Sequence, residues 1–544
     1  MVTFTAKSFK KIMSFQGAVF GVLLLGAIWK LVLLAGHAFP FNADEAIVGL
    51  MGRHILSGAN PIFFYGQAYM GSLDAYLVTI GFRLFGSEVW VIRSVQIILF
   101  LGFVATTILI ALHLHKDKIA ALVSGLLLAI PTVNFTLYTT VSLGGYGEAL
   151  LIGNLLILLT LKLQEEPRAR GKYVLWGSLA GLGFWAFGLT VIYIVPCGIA
   201  LILSLARQGE NVKRWRNLYL LALGAALGLS PVGLWVAQNG SGELIREFFG
   251  SAIAGTSSAN FWNSIIIHLK NFLIFGPTVI LGFRAPWATD PLALPLLPLA
   301  ASFWFAVCVH AVFRRQRPQG LALLSLVGAS SLVLLSGFMF TPFGADPSGR
   351  YFLPLMLPLV LLAGEFVRKP MVPLHRSIRW ILVAGTLAFN GFSTWQVASK
   401  QPERLTTQFD SDARVDHSHM EALIQFLNSH GETRGYTNYW VSYPLAFQSD
   451  EQLIFYPALP YHQDLRYTAR DNRYPEYQVL IEQSPKVAFI TTNHPALNDA
   501  LRESLKTLKV TWDEAIIGDY LIIYDLSERV DIEAVGERWL EPGI

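Results

Sequence analysis

Hydrophobic and polar positions divide the chain into two parts. Up to about residue 400, long apolar runs alternate with short polar stretches, whereas beyond it apolar and polar residues alternate over short distances. A membrane-spanning helix needs about 20 mainly apolar residues. Nine runs fit one spanning helix each, at 13–36, 88–113, 119–139, 146–163, 217–237, 292–312, 320–339, 351–367 and 378–397.

A tenth apolar run, 173–206, is too long for one span and has basic residues at both ends. We expect it to enter the membrane and return as two helices, with a turn in the glycine-rich stretch 181–188. The total is then eleven transmembrane helices. Two other apolar segments, 71–86 and 262–283, are short or interrupted by polar residues, and both are predicted to lie on the outer membrane surface.

The part after residue 400 has the pattern of a soluble domain. Helix-like periodicity occurs at 419–428 and 498–509, and strand-like segments occur at 434–441, 452–457, 486–491 and 520–526. This alternation is typical of a small α/β domain. The predicted architecture is a polytopic α-helical membrane domain over 1–400, with juxtamembrane helices in its first outer loop, followed by a soluble α/β domain over 401–544.

Composition and charge support a membrane protein and orient it. Hydrophobic residues make up 53% of the chain and charged residues 14%, against about 25% charged in soluble proteins. Residues 1–400 carry 14 acidic and 29 basic residues, a balance of +15, and residues 401–544 carry 23 acidic and 12 basic residues, a balance of −11. With eleven spans, 20 of those 29 basic residues fall on one side, which the positive-inside rule makes cytoplasmic.

This orientation places the protein in the cytoplasmic (inner) membrane, with its N-terminus in the cytoplasm and its C-terminal domain outside. The basic excess reports membrane orientation, so a nucleic-acid partner is excluded. Ionisable groups in or beside a membrane are costly and indicate function. The acidic residues predicted on the outer side or within the membrane are Asp44, Glu45, Asp74, Glu88, Glu148, Glu243, Glu247, Asp290 and Asp346.

The first outer loop contains an acidic pair at the start of a predicted helix. Asn42 is a suitable N-cap with Glu45 three residues later, and Gly58 is a plausible stop. Asp44 and Glu45 then lie in the first turn of an amphipathic surface helix. The alternative interpretation is that both acids only complement the helix dipole.

Two further outer segments contain candidate site residues. Glu148 follows a glycine-rich stretch at the outer end of a predicted span, and its alternative interpretation is an interfacial carboxylate. Arg350 precedes a helix that enters the membrane, and arginine is suited to bidentate phosphate contact, although an interfacial anchor fits it equally. The candidate substrate-binding residues are Arg350, Tyr351, Arg53, Tyr69 and Tyr146.

In their order along the membrane half, these features resemble the GT-C glycosyltransferases, which are integral membrane enzymes that use polyprenyl-phosphate sugars. The pattern consists of an acidic pair opening a surface helix, a second surface helix, a carboxylate in the next outer loop, and Arg350-Tyr351 before a Leu-Pro helix. It is most similar to the branch that contains bacterial aminoarabinose transferases, protein O-mannosyltransferases and rhizobial lipopolysaccharide-core transferases.

The resemblance implies a role for each matching residue. Asp44 matches the general base that acts on the acceptor, with Glu45 beside it, and Glu148 matches the second acid, which positions substrate or metal. Arg350 lies where the family has a basic residue near the lipid phosphate. One departure is that the aminoarabinose transferases have Lys-Pro at the second surface helix, where this chain has Tyr69, Met70, Gly71 and Ser72.

The predicted function is therefore transfer of a hexose or pentose from a polyprenyl-phosphate donor to a hydroxyl of a lipid, glycan or protein, by an inverting displacement at the outer face. Membrane lipid is a further partner, and a divalent cation is left open as a cofactor. Two alternatives are a transporter or flippase of a lipid-linked saccharide and a membrane-anchored glycan-binding sensor. Transporters usually show repeat symmetry and ionisable residues at mid-span, and an inert anchor does not need outer acids.

Overall fold

The computed structural model describes residues 6–207, 211–242, 244–245, 261–314, 320–370, 374–401, 404–409, 411 and 413–536. The chain forms two compact units. The first, here called the membrane unit, comprises Met1–Ala38, Tyr69–Asp74 and Arg93–Lys400. The second, here called the α/β unit, comprises Phe39–Ala68, Ala75–Ile92 and Gln401–Ile544. The predicted division into functional domains at residue 400 stays a prediction.

Helices dominate the chain up to residue 400. In chain order they are α1 (Ala6–Ala35), α2 (Ala43–Leu56), α3 (Leu73–Phe85), α4 (Val89–His115), α5 (Lys118–Ala129), α6 (Val133–Tyr138), α7 (Tyr146–Glu165), α8 (Arg170–Ala186), α9 (Val191–Arg207), α10 (Asn211–Gly228), α11 (Ser230–Asn239), α12 (Phe261–Lys270), α13 (Gly276–Ile280), α14 (Leu297–Arg314), α15 (Gly320–Phe340), α16 (Met356–Arg368) and α17 (Arg376–Ala398). Two short strands, β1 (Phe63–Phe64) and β2 (Gln67–Gly71), lie between α2 and α3.

Several of these helices have the length and composition of membrane spans. Six described segments qualify: Phe15–Ala35, Val89–His115, Tyr146–Glu165, Gly188–Arg207, Trp262–Ile280 and Arg350–Arg368. A pair bent by 59°, Arg214–Gly228 with Ser230–Asn239, is a seventh if it crosses as one span. The prediction of a multi-pass helical membrane protein is confirmed, while the count of eleven spans stays a prediction.

The segment 262–283, predicted to be a surface helix, contains a helix that qualifies as a membrane span. Trp262–Ile280 is long and apolar enough to cross a membrane, because Asn271–Phe275 continue the helix with π-helical geometry between α12 and α13. The side of the membrane assigned to later segments therefore stays a prediction.

The long apolar run at 173–206 is divided as expected. Helix α8 ends at Ala186 and α9 begins at Val191, with a 3-10 turn over Gly188–Thr190 between them. Glycines on α8 allow α10 to approach closely, since a Cβ at Gly177 would lie 2.2 Å from the Leu221 carbonyl oxygen and one at Gly181 would lie 2.5 Å from that of Ala225. Small residues at such positions are typical of membrane helix pairs.

The part after residue 400 is an α/β fold. Its elements are α18 (Met420–His430), β3 (Arg434–Tyr436), α19 (Tyr439–Gln448), β4 (Ile454–Tyr456), α20 (Glu476–Glu482), β5 (Ala488–Thr492), α21 (Pro495–Thr507), β6 (Asp513–Ile517), β7 (Tyr520–Tyr524) and α22 (Ile532–Gly536). The sheet order is β4-β3-β5-β7-β6. Strand β3 is parallel to β4 and β5, whereas β7 is antiparallel to β5 and β6.

A single apolar core joins the helices to this sheet. Leu423 and Leu427 of α18 and Leu445 of α19 pack against the strand residues Phe455 and Ile522. The predicted α/β domain is confirmed. One predicted element is wrong, because the strand expected over 434–441 ends at Tyr436: the Asn438 side chain accepts a hydrogen bond from the Trp440 backbone N–H and so caps α19.

Candidate functional site

Helix α2, in the α/β unit, places Asp44 and Glu45 in its first turn. The Asn42 side chain accepts the Glu45 backbone N–H at 3.0 Å, as an N-cap does, and the helix ends at Leu56, just before Gly58. The helix and cap predicted from the sequence are confirmed. The Glu45 side chain is fully buried, whereas Asp44 is half-buried, so Asp44 is the more accessible member of the pair.

The Asp44 carboxylate is held by a tyrosine from the same unit. Tyr439, the first residue of α19, donates its hydroxyl to Asp44 Oδ1 at 2.6 Å. Burial raises the pKa of Tyr439 well above its ordinary value, and the negative charge of Asp44 raises it further. The hydroxyl therefore stays protonated and acts as a permanent donor to this carboxylate.

An arginine and a second carboxyl group complete this cluster. The Arg473 guanidinium carbon lies 5.6 Å from the centre of the Tyr439 ring. The pKa of Asp471 is raised to about 7, mainly by burial. Asp44 raises this pKa further, and Arg473 partly offsets the increase. The Tyr443 hydroxyl donates to the Asp471 carbonyl oxygen at 2.9 Å and accepts the Arg473 backbone N–H at 2.6 Å.

Arg53, a candidate substrate-binding residue, is occupied by contacts within the α/β unit. Its guanidinium donates to the Phe447 carbonyl oxygen at 2.7 Å and lies 2.8 Å from an Asp450 carboxylate oxygen. Its Nε donates to the Ser87 hydroxyl at 2.5 Å. These contacts give Arg53 a structural role in holding α2, and its predicted contact with substrate stays a prediction.

Glu148, in the membrane unit, lies in the first turn of α7. The backbone at Gly145 is left-handed, with φ of 112°, and a Cβ there would lie 3.0 Å from the Ala186 carbonyl oxygen. Both the conformation and the space therefore require glycine just before the helix. This turn directs Glu148 inward, where it is 2% exposed.

A second carboxyl group, that of Asp74, lies beside Glu148. Asp74 accepts a hydrogen bond from the Gln96 amide at 2.9 Å and another from the Ser142 hydroxyl. No described hydroxyl, amide or cationic side chain donates a hydrogen bond to the carboxyl oxygens of Glu148. Two adjacent carboxylates repel each other unless a proton or a cation lies between them.

Arg350 lies in the membrane unit among tyrosines. Its Nε is 2.5 Å from an Asp346 carboxylate oxygen, and its guanidinium carbon is 5.0 Å from the centre of the Tyr351 ring. Tyr138 and Tyr146 also lie beside this guanidinium, with their rings 4.9 Å apart. A planar cation with hydroxyl donors around it has the chemistry of a phosphate site.

Tyr69 belongs to this second cluster, because it lies beside Tyr351. Within the membrane unit the structure therefore brings Arg350, Tyr351, Tyr69 and Tyr146 together, as the sequence predicts for substrate-binding residues. Their contact with substrate stays a prediction.

Divalent cations bind preferentially to carboxylate oxygens. Asp74 and Glu148 are two adjacent carboxyl groups that fit this preference, yet the described part of the chain contains no group of three or more His, Cys, Asp or Glu residues arranged to hold a metal. Glu243 and Glu247, two of the predicted outer acids, lie outside the described residues.

Sequence reasoning missed four residues at these clusters. Asp74 was only one of nine outer acids, although its place in the first turn of α3 is a signal like that of Asp44. Tyr439, Asp471 and Arg473 follow Asp44 by about 400 residues. No local pattern marks them, because their contact with α2 depends on the tertiary fold.

Comparison with known proteins finds one matching family model and several similar folds. The family model for dolichyl-phosphate-mannose-protein mannosyltransferases matches residues 72–235. A search of curated protein sequences finds no significant match.

Among solved structures, the chain is similar to ArnT from Cupriavidus metallidurans bound to undecaprenyl phosphate. The identity is 13%, 94% of this chain and 98% of that chain are covered, and the TM-score is 0.58. Apo ArnT from the same organism gives 13% identity, 93% and 98% coverage and a TM-score of 0.56. The predicted resemblance to the GT-C glycosyltransferases is thus confirmed at the level of fold and enzyme class.

Proposed function

We infer that this GT-C glycosyltransferase transfers a sugar from a polyprenyl-phosphate donor to a hydroxyl group of a lipid, glycan or protein. The donor class is supported by the similar ArnT structure, which holds undecaprenyl phosphate. The observation that carries the proposal is the Asp44 carboxylate, which is half-buried and accepts a tyrosine hydroxyl at 2.6 Å. A carboxylate fixed in this way still has a second oxygen that can accept a proton.

Asp44 is the proposed general base. As its free oxygen takes the proton of the acceptor hydroxyl, the acceptor oxygen attacks the anomeric carbon of the donor sugar. The bond between that carbon and the phosphate oxygen breaks, and the polyprenyl phosphate leaves with the bonding electrons. Direct displacement of this kind inverts the configuration of the anomeric carbon, as in inverting glycosidases.

Arg350 is the proposed phosphate ligand. Its guanidinium offers parallel N–H donors that match two phosphate oxygens, and the Tyr351 and Tyr146 hydroxyls beside it offer further donors. Such groups stabilise the negative charge that grows on the leaving phosphate. Tyr69, beside Tyr351, is proposed to line the same phosphate or sugar subsite.

Glu148 and Asp74 are proposed to hold a positive group near the substrate, either a proton or a divalent cation. Their burial excludes bulk water, so a charge held there acts strongly on a nearby ligand. This agrees with the role that the family resemblance implies for Glu148. Glu45, buried beside Asp44, is proposed to assist the base.

The proposed location is the cytoplasmic membrane, with the N-terminus in the cytoplasm and the C-terminal domain outside. The distribution of basic residues supports this orientation. Transfer would then occur on the outer face, where a polyprenyl-phosphate donor reaches the enzyme from within the bilayer.

The experiment that tests the base is Asp44→Asn. Membranes containing the full-length variant are incubated with a panel of labelled polyprenyl-phosphate sugars, and transfer of label to acceptor is measured. Because general-base catalysis contributes about 10²–10⁴-fold, we expect transfer to fall by at least about a hundredfold. Asp290→Asn, at an exposed acid predicted on the same side, is the matched control and should transfer normally. Undiminished transfer by Asp44→Asn would exclude Asp44 as the base.

A further inference from the structure

We propose that the C-terminal α/β domain contributes to catalysis, because its residues Tyr439 and Arg473 position the Asp44 carboxylate for proton transfer. This inference rests on the proposed role of Asp44 as base. Tyr439 and Arg473 touch Asp44 or its partner rather than the reacting atoms, so they are positioning residues.

The hydrogen bond between Tyr439 and Asp44 has the geometry of a fixed pair. It joins residues 395 positions apart, at 2.6 Å, and the Tyr439 side chain is 4% exposed. The hydroxyl occupies Asp44 Oδ1, which restricts rotation of the carboxylate and leaves Oδ2 for the acceptor proton. A carboxylate held in one orientation loses less freedom when the acceptor binds.

The Tyr439 side chain is itself fixed by neighbouring residues. The preceding residue, Asn438, donates its side-chain amide to the Thr492 hydroxyl of β5 at 2.8 Å and caps α19 through Trp440. The Tyr439 ring lies 5.0 Å from the Trp440 ring and 5.5 Å from that of Tyr443. A ring surrounded in this way keeps a single rotamer, which is what a preorganised site requires.

The helix that carries Asp44 is packed directly on the helix that carries Tyr439. A Cβ at Gly49 of α2 would lie 2.5 Å from the Phe447 ring of α19, so no larger residue fits between them. Arg53 of α2 lies 4.0 Å from the same ring and donates to the Phe447 carbonyl oxygen. Further along, His54 pairs with Glu451 at 3.0 Å. Contacts at several points along α2 therefore fix the position of Asp44 relative to Tyr439.

Arg473 adds a positive charge to this pair. Its guanidinium carbon lies 5.6 Å from the centre of the Tyr439 ring, and its charge lowers the pKa of Asp471, which Asp44 raises. A guanidinium over an aromatic ring restricts both side chains. The structure thus assigns to the C-terminal domain the control of where the Asp44 carboxylate points.

The test is Tyr439→Phe in the full-length chain, assayed in membranes with the labelled donor that the panel identifies. The ring and its packing remain, and only the hydroxyl is lost. Because misplacement of a reacting group by about 1 Å can lower rates about a hundredfold, we expect kcat to fall by about tenfold to a hundredfold. The donor KM should stay within about threefold of the wild type, since a positioning residue for the base does not bind the donor.

The matched control is Tyr520→Phe. Tyr520 is also a buried tyrosine of the α/β unit, and its hydroxyl pairs with a His417 ring nitrogen at 3.2 Å, outside the Asp44 cluster. This variant should retain the kcat of the wild type. Folding of every variant is checked by its thermal unfolding transition.

Three outcomes decide between the two proposals. A wild-type kcat in folded Tyr439→Phe, together with an inactive Asp44→Asn, overturns the positioning role and leaves the base intact. An active Asp44→Asn overturns the base, and the positioning role fails with it. If Tyr439→Phe does not fold, Arg473→Gln decides: a loss of kcat of about threefold to tenfold at unchanged donor KM supports the proposal, and a wild-type kcat overturns it.

Discussion

The two carboxylate sites of this molecule have opposite surroundings. Asp44 in the α/β unit is half-buried and has a tyrosine hydroxyl at 2.6 Å. Glu148 in the membrane unit is 2% exposed and lies beside another acid, Asp74. Both lie in the first turn of a helix, but the Asn42 side chain caps the first helix and a left-handed glycine precedes the second. The same residue class in the first turn of a helix is thus suited to different chemistry.

The difference follows from the hydrogen-bond donors, solvent and neighbouring acids that surround each carboxyl group. The Asp44 carboxyl group has a hydroxyl donor on one oxygen, and its partial exposure lets an acceptor approach, which suits a proton acceptor. Two acids buried beside each other repel when both are charged. The Asp74 and Glu148 pair is therefore costly to stability, as functional groups commonly are.

The largest effect expected from this comparison is the loss of sugar transfer in the Glu148→Gln variant. The substitution keeps the shape of the side chain but removes its ability to hold a proton or a cation, so we expect transfer to fall by about a hundredfold or more. Because the substitution also removes the repulsion between two adjacent buried acids, the thermal unfolding temperature should stay the same or rise. Both quantities are measured on the same purified protein.

Glu432→Gln provides the contrasting control for this prediction. Glu432 is a buried acid of the α/β unit with partners, since it lies 2.6 Å from the Lys486 ammonium and accepts the Asp525 backbone N–H at 2.9 Å. Its neutralisation should lower stability and leave transfer unchanged. A Glu148→Gln variant that behaves like Glu432→Gln would remove the distinction between the two kinds of buried acid.

The second prediction concerns the phosphate ligand. Arg350→Gln removes a guanidinium that pairs with Asp346 and lies among tyrosines. We expect the donor KM to rise about tenfold, because charge-assisted hydrogen bonds contribute about 1.5–3 kcal/mol, with a smaller decrease in kcat. Arg368→Gln, at another Arg–Asp pair with its Nε 2.8 Å from Asp117 and with a side chain 48% exposed, should leave KM unchanged. Equal KM values in the two variants would argue against phosphate binding by Arg350.

Local signals predicted much of the fold. Asn42 as a cap, the helix that follows it and the turn within 173–206 depend on neighbouring residues, and the structure contains all three. The strand predicted over 434–441 is wrong beyond Tyr436, because its aromatic residues resemble a strand in composition, whereas the Asn438 side chain accepts the Trp440 backbone N–H and so caps a helix. Local chemistry at one residue there outweighs the average propensity of eight.

The candidate clusters were predictable only in part. Asp44, Glu148 and Arg350 stand out because charged residues are rare in the first 400 positions. Tyr439 and Arg473 do not stand out, since tyrosines and arginines are common in the C-terminal domain. Their relation to Asp44 arises from packing of α19 against α2, which no local sequence pattern predicts.

The smallest predicted effect is a pH dependence of stability due to Asp471. Burial and the nearby Asp44 raise its pKa to about 7 in the folded protein despite Arg473, whereas an unfolded aspartate titrates near 3.8. Between these values the folded state binds more protons than the unfolded state, so the contribution of Asp471 to stability is lost as pH rises from about 4 to 7. Asp471→Asn stays neutral and lacks this dependence.

Thermal unfolding of both proteins at pH 5 and pH 8 measures this effect. The unfolding temperature of Asp471→Asn relative to the wild type should rise by about 2–8 °C between pH 5 and pH 8. All other titrating groups are common to the two proteins and cancel in the difference. A difference that does not change with pH would mean that Asp471 is already ionised at pH 5. The Asp44 cluster would then contain two carboxylates balanced by Arg473, and its contrast with the Asp74 and Glu148 pair would depend on that arginine rather than on a proton.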